Sequence, residues 1–123
     1  MNIINLKWIS KHAQEAELIV SDGVHECLVF SHPCQLQQNQ TYSHPLHVLN
    51  VENLMKVIDE GAIEKITKTN QEYFSHYCVA RVLNIEEGIV AIGELLFELD
   101  VPIPRWADID SLIEFKCSRI DIW

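Results

Sequence analysis

The sequence predicts a mainly β fold: a small antiparallel barrel of about six strands, with one helix between the third and fourth strands. Two short turns, Asp22-Gly23 and Glu87-Gly88, each lie between aliphatic, β-branched segments. Both suit β-hairpins because glycine tolerates positive φ where the chain reverses. A single segment, 54–68, repeats its apolar residues at helical rather than strand spacing.

The clearest local pattern is a β-hairpin that extends from Glu15 to His32. A two-residue loop at Asp22-Gly23 would place Leu18 opposite Cys27 and Ala16 opposite Val29. Side chains alternate between the two faces of a strand, so one face of the hairpin is predicted to form core. That face consists of Ala16, Leu18, Val20, Cys27 and Val29.

The segment before this hairpin, Ile3 to Ile9, alternates apolar and polar residues and predicts a half-buried strand. Ile4, Leu6 and Trp8 would share its apolar face. Two alternatives remain for the residues that follow. The chain bends near Ser10 to Gln14 and continues into the hairpin, or part of 9–15 is helical.

Proline and polar residues interrupt the pattern after the hairpin. His32-Pro33-Cys34 ends the strand, because proline cannot donate a ladder hydrogen bond. Gln35 to Ser43 has little periodicity and is typical of an exposed loop. After His44-Pro45, the segment Leu46 to Val51 is a candidate third strand.

The best helix candidate extends from Leu54 to Lys68, with a start that Asn50 or Asn53 would cap. Gly61 in its interior costs about 1 kcal/mol relative to alanine, so two shorter pieces are the alternative. The apolar residues recur at Leu54, Ile58, Ala62 and Ile66, and Met55 and Ile63 broaden the stripe.

A second, longer hairpin is predicted between Tyr77 and Asp100, with apolar residues on both faces. Glu86-Glu87-Gly88 suits a type I turn followed by Gly88 in a left-handed bulge. With this bulge Arg81 would lie opposite Gly93. A strict two-residue loop would instead place Arg81 opposite Glu94. Gly93 itself predicts a bulge or sharp bend.

The C-terminal quarter contains a connection and a last strand. Val101 to Trp106 is extended by its prolines, and Trp106 is predicted to cover an open end of the core. Leu112 to Trp123 alternates apolar residues, with a one-residue slip that predicts a bulge near Ser118 to Arg119.

This order of elements resembles an OB-fold, a small five- or six-stranded barrel that a helix closes at one end. The resemblance covers most of the chain, lies in element order and includes no family motif. It implies a single OB-like barrel domain over residues 1–123. It also implies an open barrel face on which aromatic side chains can stack nucleic-acid bases.

The net charge of the chain restricts the classes of molecule that it is expected to bind. Eighteen Asp and Glu residues against nine Lys and Arg give a formal net charge of -9. Such a surface repels phosphate backbones and anionic lipids, so neither nucleic acid nor a membrane is an expected partner.

The N-terminus lacks a signal pattern and no apolar run approaches the ~18 residues of a membrane span, which predicts a cytoplasmic protein. The four cysteines form no CxxC and are predicted to be buried thiols.

Four potential zinc ligands lie close together in the sequence: His32, Cys34, His44 and His47. Their spacing fits no common zinc motif. In a strand, His44 and His47 would lie on opposite faces. No acid lies between Glu26 and Glu52 to orient the imidazoles. We therefore expect no bound metal, and the sequence indicates no other cofactor.

The densest aromatic group is Tyr73, Phe74 and Tyr77 with His76. These residues would stack bases on an open barrel face or pack in the core, and core packing is the favoured interpretation. No serine elbow, phosphate loop or catalytic carboxylate pair is present.

The favoured hypothesis is therefore a non-enzymatic module that binds another protein. One form of it is an inhibitor or immunity-type partner that masks a basic enzyme. The alternatives are single-stranded nucleic-acid binding through the barrel face, and a zinc-dependent activity at the His-Cys loop. Self-association stays open.

Overall fold

The computed structural model describes all 123 residues and consists of eleven strands and the turns and loops between them. The strands are β1 Asn2–Ser10, β2 Glu15–Ser21, β3 Glu26–Ser31, β4 Leu46–Leu49, β5 Glu52–Lys56, β6 Lys65–Lys68, β7 His76–Asn84, β8 Ile89–Ile92, β9 Leu95–Leu99, β10 Leu112–Cys117 and β11 Arg119–Asp121.

All strands belong to one open, mixed sheet. Their order is β1-β2-β3-β11-β4-β9-β8-β7-β10-β5, and β6 pairs with β7 off this path. The β3–β11 and β4–β9 pairs are parallel, whereas the other pairs are antiparallel. The terminal strands β1 and β5 do not pair with each other, so the predicted closed barrel of about six strands is wrong.

The free edge of β1 is partly covered by the polar loop that follows β3. The Ile3 N–H donates to the Gln40 carbonyl at 2.9 Å, and the Asn39 N–H donates to the Ile3 carbonyl at 2.7 Å. These bonds occupy the start of the β1 edge with loop backbone instead of another strand, which is one reason that the sheet does not close there.

The predicted helix is also wrong. Residues 54–68 contain most of β5, an exposed loop at 57–64, and β6. The fourth-residue repeat does not mark a buried stripe, because Ile58 is 88% exposed and Ile63 is 72% exposed. Asn53 has a φ of 56°, which is left-handed and does not continue into a helix.

The first hairpin has the predicted faces and a different register. Its loop contains Asp22 to His25, so Leu18 lies opposite Val29 and Val20 lies opposite Cys27. The Asp22 carboxylate accepts hydrogen bonds from the Val24 and His25 N–H groups, which favours the wider turn. A shift of two residues preserves the side-chain faces, and every predicted core residue of the hairpin is buried.

The second predicted hairpin is a three-stranded meander, β7-β8-β9. Gly88 has the predicted left-handed conformation, with a φ of 70°. Gly93 and Glu94 form a further turn, because Ile92 pairs with Leu95. Arg81 lies opposite Ala91, so both predicted registers are wrong.

Near the two ends of the chain, the observed strand positions agree more closely with those predicted from the sequence. β1 and β4 match the predicted first and third strands in position, and the chain bends between β1 and β2 without a helix. The predicted apolar face of β1 is wrong, because Ile4 is 44% exposed and Trp8 is 38% exposed, whereas Ile3 on the other face is buried. β10 and β11 are separated at Ser118, where a bulge is predicted. Trp106, however, is 44% exposed, whereas Ile103 and Ala107 are buried beside it; its predicted role as a cover is wrong.

The hydrophobic core contains residues from both ends of the sheet order. It includes Leu18, Val29, Val82, Ile92 and Phe115, none of which is more than 1% exposed. No helix of the protein has the length and apolar character needed to cross a bilayer.

Candidate protein-binding surface

Two neighbouring loops expose large apolar side chains among carboxylates. The first loop, 57–64, joins β5 to β6, and the second, 104–111, precedes β10. We call the face that they form the acidic-apolar surface. Its exposed apolar residues are Ile58 (88%), Ile63 (72%), Ile109 (53%) and Trp106 (44%). Its acids are Asp59, Glu60, Glu64, Asp108 and Asp110.

Arg81 on β7 joins the two loops. Its Nε lies 3.4 Å from Glu64 Oε2 in the first loop, and its Nη1 lies 3.4 Å from Asp110 Oδ1 in the second. The arginine side chain is 33% exposed, so each ion pair adds little stability by itself. The two contacts nevertheless position both loops around one cation.

Backbone hydrogen bonds fix the loops to the ends of β7 and β10. The Asp110 N–H donates to the Val82 carbonyl at 2.8 Å, and the Val57 N–H donates to the Leu112 carbonyl at 3.2 Å. Glu64 Oε1 accepts a bond from the Gly93 N–H at 2.8 Å. The exposed isoleucines are therefore presented from loops with defined attachments.

The charge of this surface is negative. The two loops contain no basic residue except Arg105, and Arg81 is already shared between two carboxylates. Single exposed apolar residues are common in monomeric proteins, but groups of them with a polar rim mark interaction sites. The surface therefore combines exposed apolar side chains with a net negative charge.

A cleft of about 310 Å³ adjoins the first loop. Loop residues such as Asp59 and Ile63 line one side of it, and Lys65, Tyr77 and Glu114 line the other. The Tyr77 hydroxyl donates to Glu114 Oε2 at 2.9 Å. Burial, and then this carboxylate, raise the pKa of Tyr77, so the tyrosine is a neutral hydrogen-bonding group. Such a cleft can receive one side chain of a partner.

A larger cleft of about 500 Å³ lies beside the loop 69–75, but two of its charged side chains, Arg119 and Asp100, are already bonded within the fold. Arg119 donates to both carboxylate oxygens of Asp121, at 2.6 and 2.9 Å, and lies over the Phe30 ring. The Asp100 carboxylate accepts the N–H groups of Asn50 and Val51. These contacts join strands and loops, so we assign them a structural role.

The four candidate zinc ligands do not converge. Cys34 is buried with its sulfur 4.0 Å from the Leu36 carbonyl. His47 stacks on Trp123 with ring centroids 3.6 Å apart, and its Nδ1 lies 3.1 Å from Glu98. His44 packs edge-on against Tyr42, and His32 stacks on Phe30. The structure contains no group of three or more His, Cys, Asp or Glu residues placed to hold a metal ion.

The aromatic group divides between core and surface. His76 is 2% exposed; its Nε2 accepts the Leu28 N–H at 3.2 Å, and its Nδ1 donates to the Phe74 carbonyl at 3.0 Å. Tyr73 is 61% exposed, and its hydroxyl donates to the Glu17 carboxylate. The prediction of core packing is therefore right for His76 and wrong for Tyr73.

Sequence reasoning missed the acidic-apolar surface, because helical periodicity assigned Ile58 to a buried stripe. The available signal was the concentration of acids in the same two loops. All four cysteines are buried and unpaired, as predicted, but the sequence did not indicate that Cys78 and Cys117 would lie side by side.

Comparison of the chain with models of known protein families, with curated protein sequences and with solved structures finds no match. The functional interpretation therefore rests on the chemistry of the surface and on the fold.

Proposed function

We propose that this protein is a non-catalytic binding module that recognises a basic protein segment through the acidic-apolar surface. The observation that supports the proposal most strongly is the exposure of Ile58 and Ile63 in a loop that also contains Asp59, Glu60 and Glu64. Neither isoleucine packs in the core, so the fold gives no reason for a large apolar side chain at these positions.

The apolar side chains supply the affinity in this proposal. Complete burial of an isoleucine side chain contributes about 1.5–3 kcal/mol relative to exposure. A partner that covers Ile58, Ile63 and Ile109 gains this contribution at several points, less the cost of association. The cleft beside Ile63 adds a concave contact for one partner side chain.

The carboxylates supply selectivity. They attract a basic partner and speed its association, and they repel an acidic competitor. The net charge of -9 extends this preference over the whole molecule. A basic enzyme whose site is masked by this surface is the finer form of the proposal. Nucleic acid is disfavoured by the same charge.

Selection from a random peptide library tests the proposal with defined probes. Peptides are selected on the immobilised protein and counter-selected on the double variant Ile58→Ser/Ile63→Ser. We expect the recovered peptides to combine Lys or Arg with apolar residues, and to dissociate as salt is added. Recovered peptides without a basic bias, or with equal binding to the double variant, would contradict the proposal.

Two matched controls separate the apolar and charge contributions. Ile9, on β1, is 50% exposed and lies outside both loops. The Ile9→Ser variant should therefore bind the selected peptides as tightly as the wild type does. Asp59→Asn/Glu60→Gln should weaken binding mainly at low salt. The corresponding change in the exposed β7–β8 turn, Glu86→Gln/Glu87→Gln, should have a smaller effect.

A further inference from the structure

Three cysteines lie in the core, and two of them are neighbours on adjacent strands. In the β7–β10 pair, Cys117 lies opposite His76, and Cys78 lies opposite Phe115. Because residues two apart share a strand face, Cys78 and Cys117 are diagonal neighbours on the core side of the sheet. Cys27 of β3 belongs to the same hydrophobic core.

The environments of these thiols differ. The Cys78 thiol, and then the backbone N–H of His76, lower the pKa of Cys117 below its ordinary value, although burial raises it. Burial raises the pKa of Cys78 and of Cys27. Cys117 is therefore the most readily ionised thiol of the three, and the thiolate is the nucleophilic form of cysteine.

The two neighbouring thiols also differ in their access to solvent. Cys117 is 4% exposed and lines a crevice of about 40 Å³, whereas Cys78 is 0% exposed. A space of about 10–15 Å³ holds one water molecule, so this crevice admits a molecule slightly larger than water. Glu52, Glu72 and Lys116 also line it, so two carboxylates against one ammonium group leave a net negative charge that disfavours an anionic oxidant. The crevice thus suits a small neutral oxidant.

We propose that Cys117 and Cys78 form a peroxide-sensitive thiol pair. The Cys117 thiolate attacks one oxygen of hydrogen peroxide, forming an S–O bond as the O–O bond breaks. The leaving hydroxide takes a proton to become water, and Cys117 is left as a sulfenic acid. The oxidant enters from solution, and no other co-reactant is needed.

Cys78 then resolves the sulfenic acid. Its sulfur attacks the Cys117 sulfur, an S–S bond forms and the S–O bond breaks. The Cys78 proton leaves with the hydroxide as a second water. In total, two thiols and one peroxide give one disulfide and two waters, and two electrons pass from the sulfurs to the peroxide. The product covalently joins β7 to β10.

Peptide mapping tests this pair without any substitution. Trypsin cleavage after Lys68, Arg81, Lys116 and Arg119 places Cys78 in peptide 69–81 and Cys117 in peptide 117–119. Cys27 and Cys34 remain together in peptide 12–56. The folded protein is treated with one equivalent of hydrogen peroxide, alkylated in denaturant and digested. We expect peptide 69–81 linked to peptide 117–119, and peptide 12–56 fully alkylated.

Further measurements distinguish specific formation of the Cys78–Cys117 disulfide from unspecific oxidation of the cysteines. Protein oxidised in urea should give mixed pairings. In Cys78→Ser, Cys117 should stop at a sulfenic acid, which dimedone traps when the oxidised protein is unfolded in its presence, whereas Cys27→Ser, the matched buried control, should still form the Cys78–Cys117 disulfide. Recovery of peptide 117–119 as the alkylated thiol after treatment of the folded wild type, or a preferred link to peptide 12–56, would overturn the proposal.

Discussion

The Asp22 carboxylate accepts a hydrogen bond from the Glu94 N–H at 2.8 Å, and so joins the β2–β3 loop to the β8–β9 turn. The same carboxylate accepts the N–H groups of Val24 and His25, and its side chain is only 4% exposed. Two of these three backbone donors belong to the turn of Asp22 itself, and the third, from Glu94, attaches that turn to a part of the sheet that is distant in sequence.

Replacement of Asp22 tests this attachment. Asp22→Asn removes the charge and reduces the acceptor capacity, so we expect a loss of about 1–3 kcal/mol in the free energy of unfolding at pH 7. Urea denaturation measures the change. The exposed Asp108→Asn serves as the control and should stay within about 0.5 kcal/mol of wild type. Equal stability of Asp22→Asn and wild type would contradict the structural role.

The effect of Asp22 should depend on pH. Burial alone raises its pKa, but the backbone bonds from His25, Glu94 and Val24 outweigh burial and hold the pKa below the usual value. A lowered carboxyl pKa adds stability above the unfolded pKa of about 3.9, and that stability is lost as the pH falls toward the folded pKa. The difference between wild type and Asp22→Asn should therefore shrink below about pH 4. If the difference in free energy of unfolding between wild type and Asp22→Asn grew as the pH fell, the pKa of Asp22 would be raised by folding and not lowered.

Gly93 should not tolerate a side chain. Its φ is 58°, and an added Cβ would overlap the Asp22 carboxylate and the His25 ring. Gly93→Ala is expected to destabilise the protein by more than about 1 kcal/mol in urea denaturation. At Gly61 an added Cβ would meet only Asp59 Oδ1, at 3.5 Å, so Gly61→Ala should have a smaller effect. The reverse order would contradict the described turn.

The isoleucines of the acidic-apolar surface should be dispensable for folding. Ile58→Ser/Ile63→Ser is expected to change the free energy of unfolding by less than about 0.5 kcal/mol per site, because both side chains are exposed. Phe115→Ala, in the core, should cost about 3–5 kcal/mol. A loss of several kcal/mol in the double variant would mean that these side chains stabilise the fold and are not held for a partner.

Single-stranded nucleic acid should bind weakly. With nine basic residues dispersed in a chain of net charge -9, few counterions can be released, and we expect a Kd above about 10 μM at physiological salt. A fluorescence titration with labelled DNA and RNA measures it. Submicromolar affinity that weakens with salt would favour the nucleic-acid hypothesis over the protein-binding one.

The sequence predicted the two faces of the first hairpin, but it did not predict the face of β1 or the long-range pairing of strands. The five core residues of the first hairpin were identifiable because side chains alternate with period two, and a register shift of two residues does not change their face. The insertion of β11 between β3 and β4 was not predictable from local patterns. It depends on contacts between residues about ninety positions apart, such as Phe30 and Asp121.

The wrong helix and the missed surface have one physical cause. Periodicity arguments assume that apolar residues face the core. Ile58 and Ile63 face solvent, so their spacing carried no information about secondary structure. An exposed apolar residue that does not pack in the core misleads a prediction that considers only folding.

Fluorescence anisotropy of the strongest selected basic peptide, with its Kd measured for three proteins, tests most directly whether the acidic-apolar surface is the binding site. Wild type and Ile9→Ser should bind equally. Ile58→Ser/Ile63→Ser should bind at least about tenfold more weakly, which corresponds to a loss of about 1.4 kcal/mol. The same Kd for all three proteins would contradict the assignment of the acidic-apolar surface as the binding site.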